Sequence, residues 1–167
     1  IRDCLARTLA TQLIAKHNIP PYNNSAVDGY AVYFNDLNKG TKTRLPVGGR
    51  IAAGHPLNRA AKRHEALHVF TGAPLPKGLT DEGPDTIFML EDIEVDGKIV
   101  ILPAGIKRSA NFRNAGEDVK IEDIVLLPGH RLRPQDISMA ASLGYAEIEV
   151  YRRLRVAVFS SGDEIQD

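Results

Sequence analysis

Short apolar runs separated by Gly, Pro, Asn and Asp are the feature that most constrains how this chain folds. The 167 residues include 14 Gly and 10 Pro, and both residues disfavour helix interiors. Short runs between turn-forming residues are typical of strands in a small β domain. We therefore expect mainly β structure with some helix, an α+β fold. The predicted strands cover residues 30–34, 50–53, 66–70, 86–95, 98–102 and 123–127.

Two local signals fix individual elements more closely. Asp96-Gly97 lies between two alternating runs and predicts a two-residue β-hairpin turn. Residues 134–143 predict a helix, because Pro134 suits the first turn, Asp136 suits the positive helix start and Gly144 follows the last turn.

The two ends of the chain carry different patterns. Apolar residues spaced by four predict an amphipathic helix over residues 1–16. Residues 146–151 alternate as a strand, whereas residues 154–159 are almost continuously apolar, which is typical of a parallel strand buried on both faces. We expect 154–159 to be the first strand of an α/β domain that is otherwise missing, so that the chain is part of a longer protein.

Charge and cysteine content exclude some classes of partner and site. With 21 Lys+Arg against 21 Asp+Glu, the zero net charge gives no electrostatic reason to expect nucleic acid or an anionic membrane. No apolar run approaches the ~18 residues of a membrane helix. Cys4 is the one cysteine, so it forms no internal disulfide and a reducing cytoplasm is expected.

The loop over residues 20–30 is the first candidate site. It holds Asn23, Asn24, Ser25 and Asp28 within six residues. An oxygen-rich loop suits a hydrated cation or a polar ligand. The same side chains also fix loops by bonding to their own backbone, and both interpretations stay open at this point.

His64-Glu65-Ala66-Leu67-His68 matches the H-E-x-x-H zinc pattern, which requires a helix to place both imidazoles on one face. The β-branched and aromatic residues that follow favour a strand instead. In a strand the two histidines would lie about 13 Å apart and could not share a metal ion. Solvent-facing strand histidines are the preferred interpretation.

Three further polar groups are candidates. Thr71-Gly72 offers a hydroxyl and a backbone that a ligand can approach, although a plain turn explains it equally well. Arg113 could bind an oxyanion in bidentate fashion and Asp118 could hold Mg²⁺, with surface ion pairs as the alternative. Asp163 and Glu164 follow the expected terminal strand, where ligands bind in α/β sheets.

Four stretches in this order resemble the molybdopterin molybdenumtransferase family, called MoeA in bacteria, to which the gephyrin E domain and its plant counterpart are related. They are PYNNSAVDGYAV at 21–32, FTGAPLP at 70–76, NFRNAGED at 111–118 and SSGDEI at 160–165. Departures are mostly conservative, but Asn23 stands where the family usually has Asp, which weakens any metal role at that position.

The resemblance implies a reaction and a set of site residues. Family members insert molybdenum from molybdate into adenylylated molybdopterin and release AMP with a divalent cation such as Mg²⁺. By resemblance, Asp28, Thr71 and Glu164 are catalytic, and Asp28 and Glu164 are candidates for an Mg²⁺ or molybdate site. The substrate-binding residues implied are Ser25, Gly72, Arg113, Asp118 and Asp163.

The resemblance also implies domains and partners. We expect an elongated linking domain of helix and strands at 1–20 and 122–153, an inserted β-rich domain at 21–121, and the start of a truncated α/β molybdopterin-binding domain at 154–167. Family members are homodimers whose site is shared between subunits, and molybdopterin adenylyltransferase supplies their substrate. The chain alone is then expected to be inactive.

Two other functions remain as alternatives. A zinc metallopeptidase would use His64, Glu65 and His68, and a non-catalytic scaffold of the gephyrin type would bind a receptor peptide. Neither nucleic acid nor a membrane is an expected partner.

Overall fold

Short strands dominate the computed structural model, which describes residues 1–159, 161, 162 and 164. The architecture is mainly β with a little helix, which confirms the predicted fold class. The strands are β1 (Leu13–Ile14), β2 (Asn24–Ser25), β3 (Gly29–Val32), β4 (Thr43–Ile51), β5 (Ala66–Val69), β6 (Thr86–Met89), β7 (Glu94–Asp96), β8 (Ile99–Leu102), β9 (Phe112–Arg113) and β10 (Ile124–Leu126). The helix α1 covers Pro134–Ser142, and 3-10 turns lie at Arg2–Cys4, Phe34–Asp36 and Leu90–Asp92.

The chain divides into two compact units. The first unit contains Ile1–Lys16 and the chain from Glu122 onward, and the second, here called the β-rich unit, contains His17–Ile121. The domain limits drawn from the sequence, including a further domain beginning at residue 154, stay a prediction.

A six-stranded sheet forms the β-rich unit, in the order β6-β3-β5-β4-β8-β7. β4 and β5 run parallel, and the other neighbouring strands run antiparallel. The hairpin of β7 and β8 confirms the Asp96-Gly97 signal, since Asp96 pairs with Ile99 and Gly97 has a φ of +60°. Residues 86–95, expected as one strand, instead form β6, a 3-10 turn and β7.

A hydrophobic core lies on each face of this sheet, since successive side chains of a strand point to opposite faces. Along β3, Ala31 contributes to one core and Val32 to the other. The first core also contains Ile51, Leu67, Val69 and Ile87, and the second contains Tyr30, Leu45, Ala66, Phe88 and Val100.

In the first unit, β1 pairs with β10 and α1 packs its Ala140 into a core with Leu9, Leu13 and Leu132. The predicted helix at 134–143 is confirmed. Asp136 accepts a hydrogen bond of 2.8 Å from the backbone N–H of Arg133, which satisfies a free donor at the helix start. No described helix has the length and apolar character needed to span a membrane.

The predicted helix over residues 1–16 is wrong. Only Arg2–Cys4 forms a 3-10 turn, and Ala6 has a φ of +59° that no α-helix accommodates. The backbone N–H groups of Ala6 and Leu9 donate to the carbonyls of Leu132 and His130. This segment is therefore extended, and its apolar residues are buried by distant backbone pairing rather than by one helix face.

Two predicted strands near the end of the described chain are also absent. Within residues 146–151 the structure holds only a single bridge, between Leu9 and Val150. Residues 154–159 form no strand, and Leu154, Val156 and Val158 are exposed. A strand needs a neighbouring strand for its backbone hydrogen bonds, and no described residue supplies one here.

Candidate functional site

Asp28 and Thr71 come together where two paired strands end. Gly29, the first residue of β3, pairs with Val69, the last residue of β5, so the residue before β3 meets the turn that follows β5. The Oδ1 atom of Asp28 accepts hydrogen bonds from the backbone N–H of Thr71 at 2.7 Å and from its hydroxyl at 2.8 Å. Both side chains are exposed.

These two bonds further stabilise the ionised form of Asp28, a carboxyl that is charged at neutral pH even without them. The backbone hydrogen bond from Thr71, followed by its hydroxyl bond, holds the pKa of the Asp28 carboxyl below its ordinary value, against a small opposing effect of burial. Asp28 is therefore ionised at neutral pH. Among the described residues the hydrogen bonds to this carboxylate go to Oδ1, and Asp28 as a whole is exposed, which leaves Oδ2 available to a ligand.

The polar loop and the Thr71-Gly72 turn are tied by backbone bonds. The Gly72 N–H donates to the Ser25 carbonyl at 2.8 Å, and the Ser25 N–H donates to the Ala73 carbonyl at 3.3 Å. The structure thus brings together Ser25, Asp28, Thr71 and Gly72. Gly72 has a φ of +75°, and a Cβ there would meet nothing within 4 Å. Glycine is therefore favoured at this position by the backbone conformation of the turn and not by lack of space.

Ser25 is placed for a structural task. The residue is 1% exposed, and its hydroxyl donates to the Val27 carbonyl at 2.5 Å. Asn23 likewise uses its side-chain oxygen to accept the Ala115 N–H at 2.9 Å, which links the loop to residues 111–118. Among the polar side chains of the loop, Asp28 combines a negative charge with exposure to solvent.

Arg113 and Asp118 bind one another. The Nη2 atom of Arg113 lies 2.8 Å from each carboxylate oxygen of Asp118. The Nε atom of Arg113 donates to Glu117 at 3.0 Å. These acidic partners raise the pKa of Arg113 above its ordinary value, Asp118 first. Arg113 pairs with Asn24 between β9 and β2, so this ion pair lies beside the polar loop.

The remaining predicted site residues are less defined. Glu164 is exposed and belongs to the first unit. Asp163 lies outside the described residues. The roles expected for these two carboxylates stay predictions.

The H-E-x-x-H residues do not lie on a helix. Residues 66–69 form β5, as the flanking sequence predicted. Glu65 is buried and ion-paired with Arg59 at 2.8 Å. His64 is solvent-facing as expected but precedes β5, with a φ of +60°, so it is not a strand residue. His68 lies on β5 but is half-buried, and its Nε2 atom is shielded without a hydrogen-bond partner among the described residues. The geometry that zinc binding requires of this pattern is missing.

His68 and Arg50 are neighbours of the site that the sequence did not reveal. His68 stacks on Tyr30 with 4.9 Å between ring centroids and lies 4.7 Å from the Phe70 ring. The Arg50 guanidinium lies over Phe70 at 4.4 Å. Their proximity depends on the register of β4, β5 and β3, which no local pattern encodes.

Comparison with known proteins identifies the family. Residues 1–144 match the model described as the MoeA N-terminal region (domain I and II). The molybdopterin molybdenumtransferase of Haemophilus influenzae is 38% identical over 169 residues, covering 99% of this chain and 39% of that protein. The enzyme of the same name from Synechococcus elongatus is 34% identical, covering 95% of this chain and 39% of that protein.

Solved structures agree. The crystal structure of the molybdopterin biosynthesis moeA protein from Pyrococcus horikoshii OT3 matches with a TM-score of 0.80 and 30% identity, covering 89% of this chain and 39% of that chain. The chain thus spans about two fifths of the length of the relatives it matches. With the family model covering most of its residues, the chain belongs to the family of MoeA N-terminal regions.

Proposed function

We propose that the complete protein acts in molybdenum cofactor biosynthesis, inserting molybdenum from molybdate into adenylylated molybdopterin with release of AMP. The observation that carries the proposal is the Asp28–Thr71 pair, in which two hydrogen bonds from Thr71 fix the orientation of an exposed, ionised carboxylate. Membership of the MoeA family and the names of the relatives support this reaction.

The proposed chemistry explains why such a carboxylate is useful. Release of AMP breaks a phosphate–phosphate linkage, and the negative charge on the phosphate oxygens must be offset. Asp28 is fixed through Oδ1 and keeps Oδ2 available to place a cation. The Thr71 hydroxyl proton is directed at Asp28, so Thr71 orients the carboxylate.

Mg²⁺ fits this arrangement as an ion shared with the substrate. Mg²⁺ usually binds through one or two carboxylates plus substrate phosphates and keeps several waters, and Asp28 supplies one such carboxylate. Within the described part of the chain no group of three or more His, Cys, Asp or Glu could hold a metal by itself. When bound, the ion would offset charge on the phosphate oxygens.

The other proposed features concern parts of the protein beyond this pair. We infer a homodimer in which the active site is shared between subunits and Glu164 and Asp163 contribute from the second one. Arg113 and Asp118 would bind substrate by exchanging their mutual ion pair for substrate oxyanions or a cation. Molybdopterin adenylyltransferase would supply the substrate.

Asp28→Asn in the complete protein tests the proposal. The amide keeps the size of the side chain but removes the charge, so we expect molybdenum insertion to fall about 100-fold. The measurement is AMP release and cofactor formation from molybdate and adenylylated molybdopterin, together with restoration of a molybdoenzyme in a host lacking its own insertase.

Asp92→Asn is the matched control, because Asp92 is an exposed carboxylate in the 3-10 turn after β6. It removes the same charge and should leave the activity unchanged. Wild-type activity in a folded Asp28→Asn protein would refute the site. A folded wild-type protein that neither restores the cofactor nor releases AMP would refute the function.

A further inference from the structure

Three arginines of the described chain lie over aromatic rings, and their surroundings differ. Arg63 lies over Tyr33 and its Nε donates to Asp36 at 2.8 Å; Arg108 lies over Phe34 and its Nη1 donates to Asp85 at 2.6 Å. Arg50 lies over Phe70 with no side-chain hydrogen bond or acidic partner among the described residues. Two of these cations are therefore neutralised locally and Arg50 is not.

The position of Arg50 follows from strand register. His68 on β5 pairs with Tyr30 on β3 and with Arg50 on β4, so the three residues form a row across the sheet. Residues opposite one another on neighbouring strands share a face. Asp28 immediately precedes β3 and Phe70 immediately follows β5, at the end of the sheet where these antiparallel strands meet. Because β4 runs parallel to β5 and Arg50 is the next-to-last residue of β4, Arg50 lies toward the same end of the sheet as the Asp28–Thr71 pair.

The row of Arg50, His68 and Tyr30 carries a positive charge, which favours binding of an anion. Burial, and then the positive charge of Arg50, lower the pKa of His68 below its ordinary value, so His68 is neutral at physiological pH. Arg50 is left as the cation of the row. A fixed cation at this end of the sheet attracts the anionic groups of the substrates, in addition to any Mg²⁺ that Asp28 would hold.

We propose that Arg50 is a specificity-determining residue that binds a tetrahedral oxyanion of the substrates beside the Asp28–Thr71 pair. This inference rests on the proposed function. Two sources supply that chemistry, the phosphate groups of the adenylylated pterin and molybdate itself. Stacking on Phe70 orders the guanidinium while leaving its N–H donors free, and guanidinium groups bind such oxyanions through paired hydrogen bonds.

Steady-state kinetics of the complete protein with Arg50→Gln separate the two sources. A lost charge-assisted hydrogen bond corresponds to about a tenfold or greater rise in KM, for molybdate or for adenylylated molybdopterin according to which one Arg50 binds. We expect kcat to change much less. Arg50→Lys keeps the charge and should recover part of the affinity.

Arg44→Gln is the matched control, because Arg44 is an exposed arginine on the same strand, paired with Asp96. It removes the same charge and should change neither KM. If Arg50→Gln lowers the melting temperature, Arg50→Met, which supplies a long apolar side chain that can pack on Phe70, replaces Arg50→Gln in the comparison.

Equilibrium dialysis with molybdate alone and with AMP alone makes the two proposals separable. Weaker binding of either probe by Arg50→Gln supports the role of Arg50 even if the protein forms no cofactor. An active enzyme in which Arg50→Gln changes neither KM nor either binding constant would overturn the role of Arg50 and leave the proposed function standing.

Discussion

Glu65 shows how one side chain can resemble a catalytic base while serving the fold. Both of its oxygens accept hydrogen bonds of 2.8 Å from Arg59, and Oε1 also accepts the Lys62 N–H at 2.9 Å. Burial would raise the pKa of Glu65, but the bonds from Arg59 and Lys62 outweigh it and lower that pKa. The carboxylate is thus charged and paired.

Glu65→Gln tests this structural role at the scale of one residue. The substitution removes the charge that the half-buried Arg59 guanidinium pairs with and weakens two charge-assisted hydrogen bonds, so the free energy of unfolding should fall by about 2 kcal/mol. Urea unfolding followed by circular dichroism measures the change. Added zinc should alter neither protein.

Glu82→Gln is the comparison variant for Glu65. Glu82 pairs with Lys77 at 3.7 Å on the surface, where both side chains are exposed, and such pairs contribute roughly 0.5 kcal/mol or less. If the two variants lost equal stability, the buried Glu65–Arg59 pair would have no special weight.

The sequence motifs name candidate site residues, whose roles stay predictions, but not the contacts between them. The motifs point to Asp28 and Thr71, and the structure joins them. The interpretation of His68 as a solvent-facing residue was wrong, because its exposure depends on Tyr30 and Phe70 on either side of it. Arg50 was missed for the same reason: cross-strand register is a non-local property.

At the scale of elements, the pairing of β3 with β6 requires a glycine next to the catalytic candidate. Gly29 pairs with Met89, and a Cβ at Gly29 would lie 1.8 Å from the carbonyl oxygen of Phe88. The neighbour is backbone within a paired strand, so it cannot move aside as a flexible side chain would. The glycine of the D-G-Y sequence therefore permits close strand approach.

Gly29→Ala should separate β3 from β6. We expect a loss of about 3 kcal/mol or more, at the upper end for overpacking, because backbone must shift. Thermal unfolding and amide exchange of residues 29–32 and 86–89 measure it.

Gly40→Ala provides the contrast, since Gly40 has a φ of +75° and open space around it. That change carries only the conformational penalty of about 1 kcal/mol. Equal effects at the two positions would show that the contact with Phe88 is unimportant.

Elements with local signals were predicted, and elements held by distant pairing were not. The β7–β8 hairpin and α1 follow from Gly97 and from Pro134 with Gly144, whose backbone preferences act within a few residues. The apolar spacing in residues 1–16 indicated a helix, but the N–H groups of that segment bond to residues far along the chain. Periodicity alone does not distinguish these cases.

At the scale of the whole molecule, both units depend on carboxylates that stay ionised. In the first unit, hydrogen bonding by Arg133 above all, and then by His130, lowers the pKa of Asp136 far below its ordinary value, against the effect of burial. In the β-rich unit, burial acts to raise the pKa of Asp36, but hydrogen bonds from Arg63 and the His64 N–H lower it overall. Each carboxylate binds a proton less readily in the folded chain than in the unfolded one.

Acid should therefore destabilise both units, and Asp136→Asn should reduce that dependence. A lowered folded-state pKa contributes stability that is present above the unfolded value, near 3.8 for Asp, and that is lost as the pH falls below it. We expect the variant to be about 2 kcal/mol less stable than wild type at pH 7 and to approach wild type near pH 2, as measured by urea unfolding at each pH. Glu147→Gln, which removes an exposed charge from the same unit, is the control for the loss of one negative charge. An Asp136→Asn curve parallel to wild type over the whole range would show that the Asp136 carboxyl titrates alike in the folded and unfolded chain.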